Sequence, residues 1–378
     1  NGVVLGASLA VAALSSAYYG ILIGLAVALG VVLYGVWLGL WRERAYGVAV
    51  AVALAALLLI MLPFVPPYVA IRQEGFERTL EEARRYSVDW RGWLASPVHT
   101  HRWLLFESFR GVAFPGLTRV VLGLAGFGVL LASARSASRF ARGRAHAAFY
   151  LLVGVLTFWA TLGPDAGLYT LLHNTLPVFA FMRAVERFAI LVTLVLAVGL
   201  GFAVAMLRAR VSHSAARWAP AAAIAAVCAL IVADSWAAPV PLRDALPVPG
   251  AYRALARAPR GVVAEFPFYR ALDFHAHAYY MLMSTYHWRP LVNGYSDHYP
   301  AGFREMADVL YEFPLEPSAF AHRRRHDVRY VIVHLNRLHP QRRPQVAQGL
   351  AHYTAQGVLR LVQSDTDVAL YEIVRYPA

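Results

Sequence analysis

Through residue 238 the chain alternates long apolar blocks with short arginine-rich or longer polar stretches. A helix needs about 20 apolar residues to cross roughly 30 Å of hydrocarbon, so each block is a candidate membrane span. Residues 3–40 are too long for one crossing. "LSSAYYG" at 14–20 offers a break, giving a shortened first helix and a second from about Tyr18 to Leu40. Further spans are expected at 46–66, 116–133, 147–163, 188–207 and 219–238. The pattern predicts an α-helical polytopic membrane protein of about seven spans, the first truncated.

Beyond residue 238 the pattern shortens. "PVPLRDALPVPG" (239–250) reads as a proline-rich linker. "GVVAEFPF" (261–268) and "VRYVIVHL" (328–335) are short runs of β-branched and aromatic residues, expected as buried strands. "RRPQVAQGLAHYTAQG" (342–357) fits a helix ended by Gly357, and "VLRLVQ" and "VALYEIV" around "SDTD" fit a closing hairpin. Residues 239–378 are therefore expected to form a C-terminal α/β soluble domain, long enough for its own core, after a transmembrane region at 1–238.

Composition agrees with a membrane protein: 59% of residues are hydrophobic and 15% charged, against about 45–50% and about 25% in soluble domains. All 35 basic residues are arginine and the formal charge is +13. Residues 1–238 hold 19 arginines against 10 acids, and 239–378 hold 16 against 12. The excess lies mostly in the loops of the membrane part, which points to lipid headgroups rather than nucleic acid. The single cysteine, Cys228, excludes a disulfide framework or a cysteine metal site. The chain opens at Asn1, already hydrophobic and without the charged start of a signal peptide, and reads as the C-terminal part of a longer protein.

Alternating the spans groups 41–45, 134–146 and 208–218, with nine arginines in 29 residues, against 67–115 and 164–187, with nine in 73. Positive charge concentrated in short loops marks the cytoplasmic side. The 67–115 and 164–187 loops and the C-terminal domain are then extracytoplasmic.

Chemistry is expected at three places. "FMRAVERFAI" (181–190) sets Arg183 and Arg187 four residues apart at the mouth of the sixth span. On one helix face the two guanidinium groups would converge on one lipid phosphate, to which arginine makes forked, charge-assisted bonds. The competing reading is a snorkelling pair that anchors the span, partly neutralised by Glu186. Pro164, Gly167 and Pro177 argue against a simple loop before it, and Leu168–Leu176 reads as a short helix at the surface or dipping back in.

The segment 84–108 is rich in Trp, His and Arg. Its tryptophans read as interface anchors, or else Asp89, His99 and His101 line a substrate cavity. In the C-terminal domain, "FHAHAYYMLMSTYHWRPLVNGYSDHYP" (274–300) places His275 and His277 on one face of an expected strand. With His287 and His298 they raise a zinc site, although no spacing matches a known ligand pattern. The alternatives are a packed polar loop joining the domain to the membrane part, or sugar contact through Trp288, Arg289, Asn293 and Tyr295, with His287 and Glu265 beside them in a candidate substrate cavity. Glu265 ends a strand where active-site carboxylates occur and where solvated ones are equally ordinary. No metal is assigned and no cofactor is identified, with a divalent metal left open. GxxxxGK[ST], GxSxG and HExxH are absent. The spans contain almost no ionisable groups beyond Arg119 and Asp234, which disfavours an ion-coupled transporter.

The layout, with "SSAYYG", "FPGLTRVVLGLAG", "LGP…LY…LP…MRAVERFAIL" and "HWRPLVNGYS", resembles bacterial polytopic membrane proteins of the GT-C glycosyltransferase superfamily. It is similar in particular to groups near the protein-mannosyltransferase-type and YfhO-type enzymes. The resemblance implies a multi-pass protein of the bacterial plasma (inner) membrane. It implies transfer of a sugar from a polyprenyl-phosphate donor, on the outer membrane face, to a glycan, lipid or protein acceptor by an inverting mechanism with a loop carboxylate as base. In that superfamily the catalytic acid lies in the first outer loop, and this chain is expected to begin after it, so no catalytic residue is carried over. The phosphate-binding role of an outer-face arginine is carried onto Arg183 and Arg187. The alternative is a non-catalytic cell-envelope membrane protein whose outer domain binds a glycan or protein partner.

Overall fold

The computed structural model describes residues 1–73, 78–96, 98, 101, 111–132, 139–211, 218–237, 247–296, 299–300 and 302–377. The chain divides into two compact units, Asn1–Pro241 and Leu242–Ala378.

In the described residues of unit 1 all regular structure is helical. α1 (Gly2–Ser15), α2 (Ala17–Trp37), α3 (Arg44–Met61), α4 (Val65–Gln73) and α5 (Leu80–Arg85) come first, with a 3-10 turn at Leu62–Phe64 joining α3 to α4. α6 (Leu117–Ala132), α7 (Arg139–Thr161), α8 (Leu168–Thr175), α9 (Ala189–Val211) and α10 (Ala219–Asp234) follow. The break expected at 14–20 falls at Ser16, whose extended backbone (φ −163°, ψ 127°) separates α1 from α2. The short helix expected after Gly167 is α8.

Three helical stretches among the described residues are long and apolar enough to cross a membrane: Ala17–Trp37, Arg44–Gln73 and Val185–Val211. α1, α6 and α10 are apolar but shorter. At 16 residues each, α6 and α10 rise about 24 Å, short of the roughly 30 Å of hydrocarbon. α7 has 23 residues but opens on "RFARGRAH". The expected seven crossings are thus not all met by helix length and composition. Only 6% of the most apolar window of Arg44–Gln73 is buried. A helix that is apolar all round and largely uncovered suits lipid and not water.

Where the helices do meet, glycine sets the distance. α1 and α3 run side by side through "GVVLG": a Cβ on Gly2 would lie 2.5 Å from the Ala49 carbonyl oxygen, and one on Gly6 2.1 Å from that of Ala53. α6 and α9 touch backbone to backbone, with Gly126 against Gly199 and Gly123 against Leu196. Close approach through small residues is how helices associate in lipid, where no hydrophobic force separates helix from solvent.

The polar segments on the two sides of α6 and α7 fold onto each other. Val88 N–H donates to the Thr161 carbonyl (2.8 Å), Arg78 N–H to that of Ala180 (2.8 Å), and Glu186 N–H to that of Tyr86 (2.9 Å). Trp93 Nε1 donates to Thr161 Oγ1 (3.1 Å), and Arg84 Nε to Asp165 (2.9 Å). Their apolar side chains share one core with α2, in which Tyr169, Phe179, Met182, Val185 and Phe188 surround Leu22 and Ala83. Residues 78–95 and 161–188 thus form one cap over the ends of α2, α7 and α9.

Unit 2 is an α/β fold. α11 (Gly250–Arg257) leads into β1 (Val262–Phe266), then α12 (His277–Ser284), α13 (Phe303–Tyr311), α14 (Ser318–Arg325), β2 (Val328–His334), α15 (Arg343–Ala355), β3 (Leu359–Ser364) and β4 (Val368–Ile373). The sheet order is β1-β2-β4-β3, with β1 and β2 parallel and the other pairs antiparallel. The two expected buried strands are β1 and β2, and the expected hairpin is β3–β4. α15 ends before Gly357, whose φ of +69° suits glycine. One sheet face packs Ala264, Phe266, Val331 and Val333 into the larger core. The other packs Val263, Tyr330 and Ile332 beneath Tyr252 and Leu255 of α11 and Met283 of α12. Most of the proline-rich linker lies outside the described residues.

The strand expected around His275 and His277 does not form. Ala271–Ala276 make a 3-10 helix that runs into α12, so His275 is exposed and His277 buried. Alternation within "HAHA" is compatible with either structure, and burial of Phe274, Tyr280 and Met283 decides for helix.

Candidate functional site

Two clusters gather the candidate residues, one in each unit. In unit 1 the arginine pair does not sit on a shared helical face as expected. Met182 is extended, Ala184 adopts φ −90° and ψ 81°, Val185–Phe188 form a 3-10 turn, and α9 begins only at Ala189. The cause is tertiary. Burial of Phe179, Val185 and Phe188 in the cap core fixes a path that the local i, i+4 spacing does not describe.

The two guanidinium groups are instead held on aromatic rings. Arg187 lies 4.0 Å from the centroid of Tyr18 and Arg183 4.9 Å from that of Tyr86. Tyr18 also fixes the backbone between them: its hydroxyl accepts the N–H of Arg183 (3.1 Å) and of Ala184 (3.4 Å). The backbone bond from Glu186 to Tyr86 closes the arrangement. Arg187 is exposed, whereas Arg183 and Glu186 are half-buried. A guanidinium held over a ring face keeps N–H donors of the kind that bond phosphate oxygens.

The other predicted residues of this unit take structural positions. Asp89 is exposed and caps the 3-10 turn Trp90–Leu94 by accepting from Arg91 N–H (3.3 Å). His99 lies outside the described residues. His101 is buried and bonds through Nε2 to Asp234 Oδ1 (2.6 Å), with Nδ1 buried and unpartnered. Asp234, at the end of α10, also accepts from Leu117 N–H (3.2 Å) and Thr118 N–H (3.0 Å). It therefore caps the positive end of α6 from another helix. Arg119 bonds Pro115 O (2.7 Å) and Ser235 (2.8 Å) close by. The two ionisable residues noted in the spans thus belong to one junction. Replacing Asp234 with alanine leaves two amides and His101 without their acceptor, and is expected to lower stability by roughly 2 kcal/mol. An unchanged unfolding midpoint in detergent would contradict that assignment.

In unit 2 the centre is Glu265, fully buried near the carboxyl end of β1. Its Oε2 accepts from Tyr252 of α11 and from His334 Nε2 (2.9 Å) at the end of the adjacent parallel strand β2, while Oε1 is buried without a partner. Burial pushes the Glu265 carboxyl up, against the pull of His334 and Tyr252. Burial and the neighbouring carboxyl likewise raise the Tyr252 hydroxyl.

Asn293 occupies its amide on the backbone of the same residue. It accepts from Glu265 N–H (2.7 Å) and donates to Glu265 O (2.8 Å), and its Nδ2 also reaches His277 Nδ1 (3.0 Å). With Val263 bonded to Pro290 and Val292 (both 2.9 Å), the segment 290–293 covers the free edge of β1. Arg289 turns its guanidinium onto the carbonyls that end α11, Leu255 (3.0 Å) and Ala258. His287 stacks on Tyr252, and burial with Arg289 beside it lowers the imidazole to about 4. Trp288 is 83% exposed with φ +50°, and Tyr295 lies at the surface. Two of the residues considered for sugar contact, Arg289 and Asn293, therefore serve the fold of "HWRPLVNGYS".

Among the described residues no three His, Cys, Asp or Glu side chains converge as a metal site requires; His298 is not among them. Tyr18, Tyr86, Tyr252, His334 and Asp234 were not singled out as site residues by sequence. Two of them carried a signal: Asp234 as an ionisable residue in an apolar span, and His334 as a polar residue closing an apolar strand. No family model, curated protein or solved structure matches the chain.

Proposed function

We propose that the chain belongs to a membrane glycosyltransferase that takes its sugar from a polyprenyl-phosphate donor, with Arg183 and Arg187 holding the donor phosphate. The observation that supports this reading is the pair of guanidinium groups seated on Tyr18 and Tyr86, in the cap where α2 and α9 begin. A lipid phosphate lies at the boundary between acyl chain and water, and a cation pair fixed by rings at a helix end meets it there. Arginine supplies paired N–H donors to phosphate oxygens. As the sugar–phosphate bond breaks, negative charge grows on the departing phosphate, and fixed donors stabilise it more than they stabilise the ground state.

In this reading α1, α6, α7 and α10 complete seven crossings. The shorter helices are accommodated by local thinning of the bilayer. The arginine-dense short loops face the cytoplasm, which sets the cap and the C-terminal unit on the outer face. The acceptor is a glycan, lipid or protein. A non-catalytic envelope protein whose outer domain binds a glycan or protein is the second reading. The full burial of the Glu265–His334–Tyr252 cluster, which leaves it no contact with solvent, favours it.

The test is sugar transfer by membranes carrying the Arg183→Gln, Arg187→Gln double substitution. Loss of two charge-assisted phosphate contacts predicts a fall in transfer of roughly 100-fold or more. Arg183→Lys with Arg187→Lys, which keeps charge but not the fork, falls in between. Transfer at the unsubstituted rate in the double glutamine protein, folded and at normal abundance, overturns the proposal.

A further inference from the structure

Unit 2 presents an apolar surface that its own fold does not cover. Met281 and Leu282 on α12, Tyr286 and Trp288 just beyond it, and Tyr295 are all exposed, Trp288 at 83%. They form one patch by connectivity. Leu282 and Tyr286 are a helical turn apart, Trp288 N–H bonds Ser284 O (2.8 Å), and Tyr295 N–H reaches Met281 Sδ (3.2 Å). The backbone that carries Trp288 is built, not loose. Trp288 sits in the left-handed region (φ +50°), which a large side chain adopts only when its surroundings impose it. Those surroundings are the Ser284 carbonyl on one side and, on the other, Arg289, clamped on the carbonyls ending α11 and on His287 Nδ1 (3.0 Å). The fold holds an indole out into solvent.

We propose that this patch docks unit 2 on the lipid–water interface of the bilayer that the same chain crosses. Tryptophan and tyrosine with aliphatic neighbours match the interfacial layer, where rings sit among headgroups and apolar side chains reach the acyl boundary. From His277 to Ser296 there is no acidic residue, so nothing on this stretch repels anionic headgroups. A carbohydrate would need hydrogen-bonding side chains beside the ring. In this stretch Ser284, Thr285, Arg289 and Asn293 each donate to a backbone carbonyl, which disfavours a sugar. Because unit 2 is covalently joined to membrane-crossing helices, even a weak patch acts at high effective concentration. The inference rests on the membrane reading of unit 1 and not on donor binding.

The test uses the full chain with Cys228→Ser, carrying Leu282→Cys or Tyr286→Cys labelled with an environment-sensitive fluorophore. The protein is reconstituted in vesicles of phosphatidylethanolamine and phosphatidylglycerol. Leu361→Cys, on the exposed side of β3, reports open solvent, and Leu59→Cys, on the uncovered face of α3, reports the acyl core. At 282 and 286 iodide quenching is expected to fall severalfold below that at 361, with strong quenching by headgroup nitroxide lipid. Labels at 282 and 286 that behave like 361 overturn the proposal. So does shielding from iodide without quenching by lipid nitroxide, which means cover by protein, or release of the shielding by a soluble oligosaccharide. A label at 59 that acyl-chain nitroxide does not quench overturns the membrane reading and the docking together.

Discussion

Gly126→Leu is expected to separate α6 from α9 and abolish the native packing of unit 1. A Cβ at position 126 would lie 1.9 Å from the Gly199 carbonyl oxygen and 2.9 Å from the Ala203 nitrogen. These are backbone atoms of a helix and cannot turn aside as a side chain does, so the helices must move apart by more than an ångström. Separation forfeits the contacts of Gly123 and Phe127 along the same crossing, and in lipid no hydrophobic force draws the helices back together. The expected cost exceeds about 3 kcal/mol, at the severe end of overpacking. Gly128→Leu, at a position with open space around its Cβ, serves as the matched control. The measurement is the detergent-resistant folded fraction across a denaturant series. Equal midpoints for the two variants would remove the claimed crossing.

Unit 2 is expected to lose stability as pH falls from about 6.5 to 4, and His277 is the main cause. Burial lowers His277 to about 4. Its Nδ1 faces the Asn293 amide (3.0 Å) and its Nε2 the Tyr269 carbonyl (3.3 Å), and among the described residues no carboxylate is bonded to it. Protonation would turn Nδ1 into a donor pointed at a donor. The folded state therefore binds its proton later than the unfolded chain, whose histidine titrates near 6.5. Stability is complete above that value and falls until the folded imidazole itself charges near 4. A shift of this size corresponds to at most about 3 kcal/mol. His287, also lowered to about 4 but partly solvated, adds a smaller loss in the same direction. Glu265 acts oppositely. Its raised carboxyl gains stability from protonation on the acid side of the folded value, so the histidine part is read as the difference between the parent and His277→Phe, in which the acid loss should shrink. Chemical denaturation monitored by the aromatic signal of unit 2 across this range is the check. The same dependence on pH between 6.5 and 4 in the parent and the His277→Phe protein would show that His277 is not buried neutral.

Elements whose cause is local were legible before the fold was known. The break before Tyr18 follows from a pair of serines between apolar runs, the end of α15 from Gly357, and β1 and β2 from β-branched runs too short for helices. Clusters whose cause is a distant partner were not. Tyr18 meets Arg183 across 165 positions, Asp234 meets the start of α6 across 117, and His334 meets Glu265 across 69. Nothing in the spacing of those residues announces the pairing. The arginine pair shows the failure in its sharpest form. The residues were visible as a pair, but the i, i+4 argument assumed a helix that aromatic packing replaces with 3-10 turns. "HWRPLVNGYS" erred the other way: residue types suited to sugar contact are there because an edge strand must be covered and a helix end capped.

Phosphorus resonance measures what the guanidinium pair binds without needing the acceptor. A short-chain polyprenyl phosphate in nanodiscs containing the full chain should show its phosphorus signal shifted and broadened, saturably with protein. The Arg183→Gln, Arg187→Gln protein should return the signal to that of protein-free discs. A signal that responds equally to both proteins, or to neither, would make Arg183 and Arg187 anchors of α9 and nothing more.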